Sequence, residues 1–170
     1  MTSVDVRRAT RADAAELIAA NRENVGYHAP WTTAFTDQAG FDAWFARGVT
    51  GAAVPLLARE RPSGALVGTI VLSEIVLGAF RSAYLGYSGY AATGGRGLMT
   101  QALRAAVRFA FDELGLHRVE ANIQPDNVRS IALARRAGFT KEGLSPGYLF
   151  IDGAWRDHER WALRADAPSS

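Results

Sequence analysis

With 170 residues, 48% hydrophobic and 21% charged, the chain is long enough for one domain around a sheet and has the ordinary composition of a soluble globular protein. It has no cysteine and only three scattered histidines, His28, His117 and His158, which excludes disulfides, a cysteine nucleophile and the familiar metal motifs. The net charge of +2 comes from dispersed arginines, with Lys141 the sole lysine, so no basic run marks a nucleic-acid surface, and no apolar run approaches the roughly 18 residues of a membrane span.

Residues 4–9 alternate, Val4 and Val6 on one face, and predict a first strand. Thr10 caps a helix reaching residue 24, with Asp13 at the capping-box position and Leu17 and Ile18 on the buried side. Residues 25–35, which hold Tyr27, His28, Pro30 and Trp31, read as a loop carrying aromatics. A second helix is expected over 36–47, where Phe41, Trp44 and Phe45 recur at helical spacing as a core-facing stripe does. Strands follow over 53–61 and 66–77, joined through Arg61-Pro62-Ser63-Gly64, and over 84–90. Gly94-Gly95-Arg96-Gly97 then opens a long helix to about residue 114, stopped by Gly115, with Met99, Leu103, Ala106, Ala110 and Leu114 as its apolar stripe. A strand over 118–123 leads through Gln124-Pro125-Asp126 to a short helix, capped by Asp126 or Asn127 and ended by Gly138. Two strands, 139–148 and 154–163, close around Asp152-Gly153. The tail from 164 to 170 is expected to fray, leaving an ordered core of about 4–164. Met1-Thr2-Ser3-Val4-Asp5 lacks the basic start and apolar stretch of a signal peptide. The expectation is one mixed α/β (α+β) domain over residues 1–170, cytoplasmic and without metal.

A glycine-rich stretch between a strand and a helix start suits a phosphate, because glycines admit close backbone approach while free amides and the helix dipole favour an anion. A dinucleotide fingerprint starting at Gly95 needs a sixth-position glycine where this chain has Thr100, and a P-loop needs Gly-Lys-Ser/Thr, which is absent. Two readings stay open: an ordinary helix-start turn, or the Gly-x-Gly turn of acetyltransferases, satisfied by Gly95-Arg96-Gly97.

Further motifs stand downstream in order: Asn127-x-x-Ser130, then Ala137-Gly138-Phe139. From the glycine loop to Phe139 the chain resembles the GNAT superfamily of N-acetyltransferases. Tyr84-Leu85-Gly86-Tyr87-Ser88, Gly95-Arg96-Gly97-Leu98-Met99, His117-Arg118-Val119-Glu120-Ala121-Asn122 and Asp126-Asn127 look like its RimJ/RimL branch. Tyr148-Leu149-x-Ile151-Asp152-Gly153-x-Trp155-Arg156-Asp157-His158 is particularly similar to RimJ-type ribosomal-protein-alanine N-acetyltransferases. A weaker likeness, Asn21-Arg22 and Pro30-Trp31, extends toward the N-terminus.

The resemblance implies a strongly bent mixed sheet of about seven strands flanked by about four helices, splayed between the fourth and fifth strands. It implies acetyl-CoA as cosubstrate, with pantetheine along Ser88, Gly89 and Tyr90 and pyrophosphate on the amides of Gly94, Gly95, Arg96, Gly97, Leu98 and Met99. It further implies that Asn127 and Ser130 contact the cofactor. Gly89 fits a close backbone approach, or equally a plain bulge. The family's usual Gln or Arg and Gln in the glycine motif are here Ala92 and Gly94.

The chemistry is attack of a neutral amine on a thioester, which needs an oriented amine, a donor near the carbonyl oxygen and a proton for the departing sulfur. A protein α-amine, with pKa about 8, is partly neutral near pH 7, whereas a lysine at about 10.4 is almost wholly charged. The tyrosine that many family members place in the motif helix corresponds to Ala134 here, and the serine proposed in RimL-type enzymes to Ser130, expected as thiol proton donor. RimL's proposed glutamate corresponds to Leu149, so the base is sought in Glu120, then Tyr148, then Glu74, with water relays. Glu120 has a structural alternative as an anchor for a neighbouring loop. Asn122 shares a strand face with Glu120 and joins Glu74 and Trp31 as substrate-side residues. Trp31 has core packing as its alternative, and Asp157 and His158, adjacent on a strand, face opposite sides and read as structural. The expected partners are acetyl-CoA and a protein N-terminus, with a ribosomal protein suggested by the resemblance, and an exposed final hairpin is compatible with a homodimer. Two other readings stand beside this one: acetylation of a small amine, amino-acid derivative or antibiotic, and a non-catalytic acetyl-CoA-binding regulator or ribosome-assembly factor.

Overall fold

The computed structural model describes residues 3–166; the expectations for Met1, Thr2 and the tail beyond 166 lie outside the described residues. The strands are β1 (Ser3–Arg8), β2 (Ala53–Arg61), β3 (Leu66–Val76), β4 (Ser82–Gly89), β5 (Arg118–Ile123), β6 (Thr140–Ile151) and β7 (Ala154–Arg164). The helices are α1 (Ala14–Glu23), α2 (Val25–His28), α3 (Gln38–Val49), α4 (Leu98–Asp112) and α5 (Val128–Ala137).

All seven strands join one sheet in the order β1-β2-β3-β4-β5-β7-β6. Every pairing is antiparallel except β4 with β5. That parallel pair matches only Ser82 with Arg118, Ala83 with Val119 and Tyr84 with Glu120. Beyond Tyr84, β4 stays on β3 as far as Gly89, while β5 stays on β7 as far as Ile123. The sheet therefore splays between its fourth and fifth strands, as the resemblance implied.

The core divides between the two faces of the sheet. On one face the α4 stripe of Leu98, Leu103, Ala106 and Ala110 packs with Leu56, Ile70, Leu72, Leu85 and Val119. On the other, Leu17, Phe41 and Leu57 gather Phe35, Trp44 and Phe45 around them. The Phe41/Trp44/Phe45 stripe is core packing, with Phe41 fully buried and stacked on Phe45 at 5.6 Å. Close packing also brings β3 against β4: a Cβ on Gly68 would sit 2.5 Å from the Ser88 carbonyl oxygen and 2.8 Å from the Met99 sulfur.

Several boundaries differ from the sequence reading. The Thr10/Asp13 capping box forms, but over a short 3-10 turn at Arg11–Asp13 that leads into α1. Residues 25–28 are helix rather than loop, since the His28 and Ala29 amides bond the Asn24 and Val25 carbonyls at 3.0 Å. Their aromatic and glycine content suggested a loop, yet one helical turn needs only these bonds. α3 starts at Gln38, two residues later than expected, because Asp37 caps it by accepting the Gly40 amide. β4 begins at Ser82, two residues early, and β6 and β7 run on until Ile151 meets Ala154. A register shift between Ser145 and Leu149 hides the alternation of β6. β7 includes Arg164, and the following Ala165 amide bonds the His117 carbonyl at 2.9 Å, so the described start of the tail is held.

Candidate active site

Past Gly89, one 3-10 turn (Ala91–Thr93) leads into the glycine loop. Gly95 and Gly97 both take φ of 74°, the left-handed region that favours glycine. Gly97 caps α4 without a side chain, and the Gln101 amide bonds its carbonyl at 3.3 Å. The amides of Leu98, Met99 and Thr100 precede that bond and have no intrahelical acceptor, so the positive end of the helix faces out of the loop. The Arg96 side chain points elsewhere: its guanidinium grips Glu60 and draws that carboxyl below its usual range, with Ser63 assisting. Arg96, expected at the cofactor, lines neither chamber.

The loop borders a chamber of about 710 Å³ that also touches Tyr27, His28, Gly89, Tyr90 and Arg129. Arg129 donates to the Tyr27 hydroxyl at 2.7 Å and lies over its ring at 4.7 Å, which leaves a cation beside the glycine loop. Tyr90 donates to Asn21 at 3.0 Å and so ties the end of β4 to α1; burial pushes its phenol up.

A second chamber of about 720 Å³ lies between α3 and the final hairpin, lined by Trp44, Arg47, Asn122, Leu149, Ile151 and His158 among others. The two chambers share Trp31, Thr32, Tyr87, Ser88, Asn127 and Ser130. At this junction Asn127 caps α5 by accepting the Ser130 amide at 3.2 Å. The Ser130 Oγ lies 2.7 Å from the Tyr87 hydroxyl, which also donates to the Ser130 carbonyl at 3.1 Å. Burial pushes the Tyr87 phenol up to about 12, opposed by the Ser130 bond, so at neutral pH it holds its proton.

Most of the residues expected from the sequence meet here. Ser88, Gly89, Tyr90, Gly94, Gly95, Gly97, Met99, Asn127 and Ser130 line the first chamber, Asn122 the second, and Trp31 both. Leu98 turns its side chain into the core, 2% exposed, and offers the loop only its amide. Glu120, Tyr148 and Glu74 line neither chamber. Glu120 accepts from Arg118 at 2.8 Å, and that guanidinium also holds Glu142 at 2.9 Å, so the carboxylate sits in an ion-pair network. The Tyr148 hydroxyl lies 2.9 Å from Tyr84, whose phenol is pushed up to about 12 first by this bond and then by burial. Glu74 is exposed at a bulge, 3.9 Å from Arg47. Asp157 and His158 do face opposite ways: Asp157 takes the Gly147 amide at 2.7 Å, while buried His158 lines the second chamber. Sequence reasoning missed Tyr87, His28, Tyr27 and Arg129. Tyr87 had a signal in the strand motif Tyr84-Leu85-Gly86-Tyr87-Ser88, and Tyr27 and His28 in the aromatic content of residues 25–35, whereas nothing local marked Arg129.

The family model described as "Acetyltransferase (GNAT) domain" matches residues 4–140. The chain belongs to this acetyltransferase family. It is similar to [Ribosomal protein uS5]-alanine N-acetyltransferase of Escherichia coli (strain K12), at 46% identity over 98 residues, 58% of this chain and 50% of that protein. To the probable N-acetyltransferase YjcK of Bacillus subtilis (strain 168) it is 43% identical over 98 residues, 58% of this chain and 54% of that protein. The match thus spans about half the length of these curated relatives. Mycobacterium smegmatis RimJ, solved in complex with CoA-disulfide, superposes with a TM-score of 0.87 at 30% identity, covering 98% of this chain and 85% of that one. The RimJ-type likeness carried by the motifs holds in both comparisons.

Proposed function

We propose that the protein moves the acetyl group of acetyl-CoA to a primary amine by direct attack in a ternary complex, and that the acceptor is a protein N-terminal α-amine of the ribosomal-protein alanine type. The observation that carries this is the junction: the hydroxyl-bearing Ser130 lines both the chamber bordered by the glycine loop and a second chamber of similar size. One sheet carries both chambers, which supports reading residues 1–170 as a single acetyltransferase domain.

The residues present suit acetyl-CoA. The β4 edge freed from β5 beyond Tyr84 offers backbone groups to an amide-bearing arm, and the α4 amides with Arg129 suit a pyrophosphate. Acetyl-CoA supplies the acetyl thioester whose sulfur departs. Ser130 Oγ gives that sulfur its proton and recovers one from the Tyr87 phenol 2.7 Å behind it, and the proton shed by the acylated amine returns through water to Tyr87, so the relay ends as it began.

On the acceptor side, the Asn122 Oδ1 is buried without a hydrogen-bond partner among the described residues, and its side chain lines the second chamber. It accepts an N–H of the incoming amine and turns the nitrogen lone pair toward the junction. Among the described residues no carboxylate lines that chamber, and Arg47 does, a setting poor for a polycation. An α-amine, already partly neutral near pH 7, needs no strong base there.

The test is CoA release with an alanine-starting peptide, a polyamine and aminoglycosides as rival acceptors. Turnover greatest on the peptide is the expected result. Preference for a polyamine or an aminoglycoside would replace the acceptor assignment, and tight acetyl-CoA binding without turnover on any acceptor would replace the enzyme reading by a binding module.

A further inference from the structure

We infer that His28 is a cofactor-binding residue whose Nδ1 accepts a hydrogen bond from an N–H or O–H of the pantetheine arm of CoA; the inference rests on the acetyl-CoA reading above. His28 closes α2 and is 5% exposed. Its Nε2 lies 2.8 Å from the Gly89 carbonyl oxygen. A carbonyl oxygen only accepts, so Nε2 is the donor in this contact, and the tautomer that fits it carries its proton on Nε2 and presents Nδ1 as a lone pair. That Nδ1 is buried and has no hydrogen-bond partner among the described residues. Leaving a buried acceptor unpaired is costly, and a ligand that supplies a donor recovers the loss.

The surroundings identify the donor. His28 lines the same chamber as Gly89, Gly95 and Gly97. Its ring is fixed between Tyr27, at 6.0 Å, and Tyr90, at 5.8 Å. The nearby guanidinium of Arg129 is directed to the Tyr27 hydroxyl. Pyrophosphate oxygens only accept, and a neutral Nδ1 has no proton to give them, so His28 and the α4 amides serve different parts of the cofactor. The pantetheine arm carries two amide N–H groups and a hydroxyl. Gly89, whose carbonyl His28 holds, ends the strand edge along which that arm is placed. His28 therefore both pins the strand through Nε2 and reads the arm through Nδ1.

Nitrogen-15 NMR of the histidine rings in the full chain tests this on the wild-type protein. On titration with CoA, the His28 Nδ1 signal is expected to move from a free acceptor position to that of a hydrogen-bonded acceptor. Adenosine 3′,5′-bisphosphate, which lacks the arm, should leave it in place. The variant His28→Gln keeps an amide donor for Gly89 and loses the acceptor, so calorimetry should show CoA binding weakened by about three- to tenfold. An Nδ1 signal unmoved while CoA binds, or a shift to a protonated Nδ1, would overturn the assignment and leave the acetyl-CoA reading intact. No binding of CoA by the wild-type chain would overturn both.

Discussion

Replacing Tyr87 with Phe isolates one hydroxyl at the junction of the two chambers. The ring keeps its volume beside the core, so the cost to folding is one buried hydrogen-bonded group, about 1 kcal/mol, and the variant should remain folded. What it loses is the phenol 2.7 Å from Ser130 Oγ and 3.1 Å from the Ser130 carbonyl. If Ser130 gives its proton to the departing sulfur, then Ser130→Ala removes a general acid and should lower kcat by about 100-fold. Tyr87→Phe leaves the acid but removes what orients and resupplies it, a hydrogen bond of about 1.4 kcal/mol, so kcat should fall about tenfold. Neither change removes an anion-binding amide, so acetyl-CoA affinity by calorimetry should stay within about twofold of wild type in both. Because burial pushes the Tyr87 phenol up to about 12, it is protonated across pH 6–9. The Phe variant should accordingly lower the kcat–pH profile without reshaping it. A CoA-release assay with saturating acetyl-CoA and an alanine-starting peptide measures this. An unchanged kcat for Tyr87→Phe, or a loss seen only in KM, would refute the relay, and full turnover by Ser130→Ala would remove Ser130 from the chemistry.

Three further changes follow from other parts of the structure. Asn122→Ala should raise the peptide KM about fivefold with acetyl-CoA affinity unchanged, and an unaltered KM would remove Asn122 from the acceptor site. Gly68→Ala places a Cβ 2.5 Å from the Ser88 carbonyl oxygen and should cost about 1–3 kcal/mol, read as a lowered Tm; an unchanged melt would show that β3 and β4 part easily. Asp13 accepts both Arg7 nitrogens, at 2.9 and 2.6 Å, with the Thr10 amide and hydroxyl, and the Arg7 guanidinium first of all holds its carboxyl far below the usual range. Because the folded pKa is depressed, this stabilisation is complete above the unfolded value of about 4 and is lost as pH falls toward the folded one. Asp13→Asn should cost about 1–2 kcal/mol at pH 7, with half-exposed Arg7 screened by solvent, and should flatten the stability–pH curve below about pH 4. A variant with the same acid limb as wild type in urea titrations would contradict this.

Features set within a few residues of chain were legible in the sequence. The Thr10/Asp13 box, the Phe41/Trp44/Phe45 stripe, the Asn127 cap and the left-handed glycines before α4 each follow from backbone geometry acting over one or two turns. The family likeness added the splay between β4 and β5 and, with it, Ser88, Gly89, Tyr90, Gly94, Gly95, Gly97 and Met99 as residues that line the first chamber, though not Arg96 or Leu98. Where local pattern alone was available the reading slipped, as in the one-turn α2 and the shifted register of β6. Glu120 was legible in part: Arg118 stands two residues away on the same strand face, close enough for the pair the structure forms.

The sequence by itself therefore determined most of the elements, the Thr10/Asp13 and Asn127 caps, the glycine-rich start of α4 and, through its likeness, the acetyltransferase family. Only the tertiary structure decided which side chains meet in the cleft. Tyr87 reaches Ser130 across 43 residues and His28 reaches Gly89 across 61. Arg96 turns to Glu60, 36 residues away, and leaves its backbone at the loop. Such pairings depend on strand order and on where β4 parts from β5, properties of the assembled sheet that no local period of the chain carries.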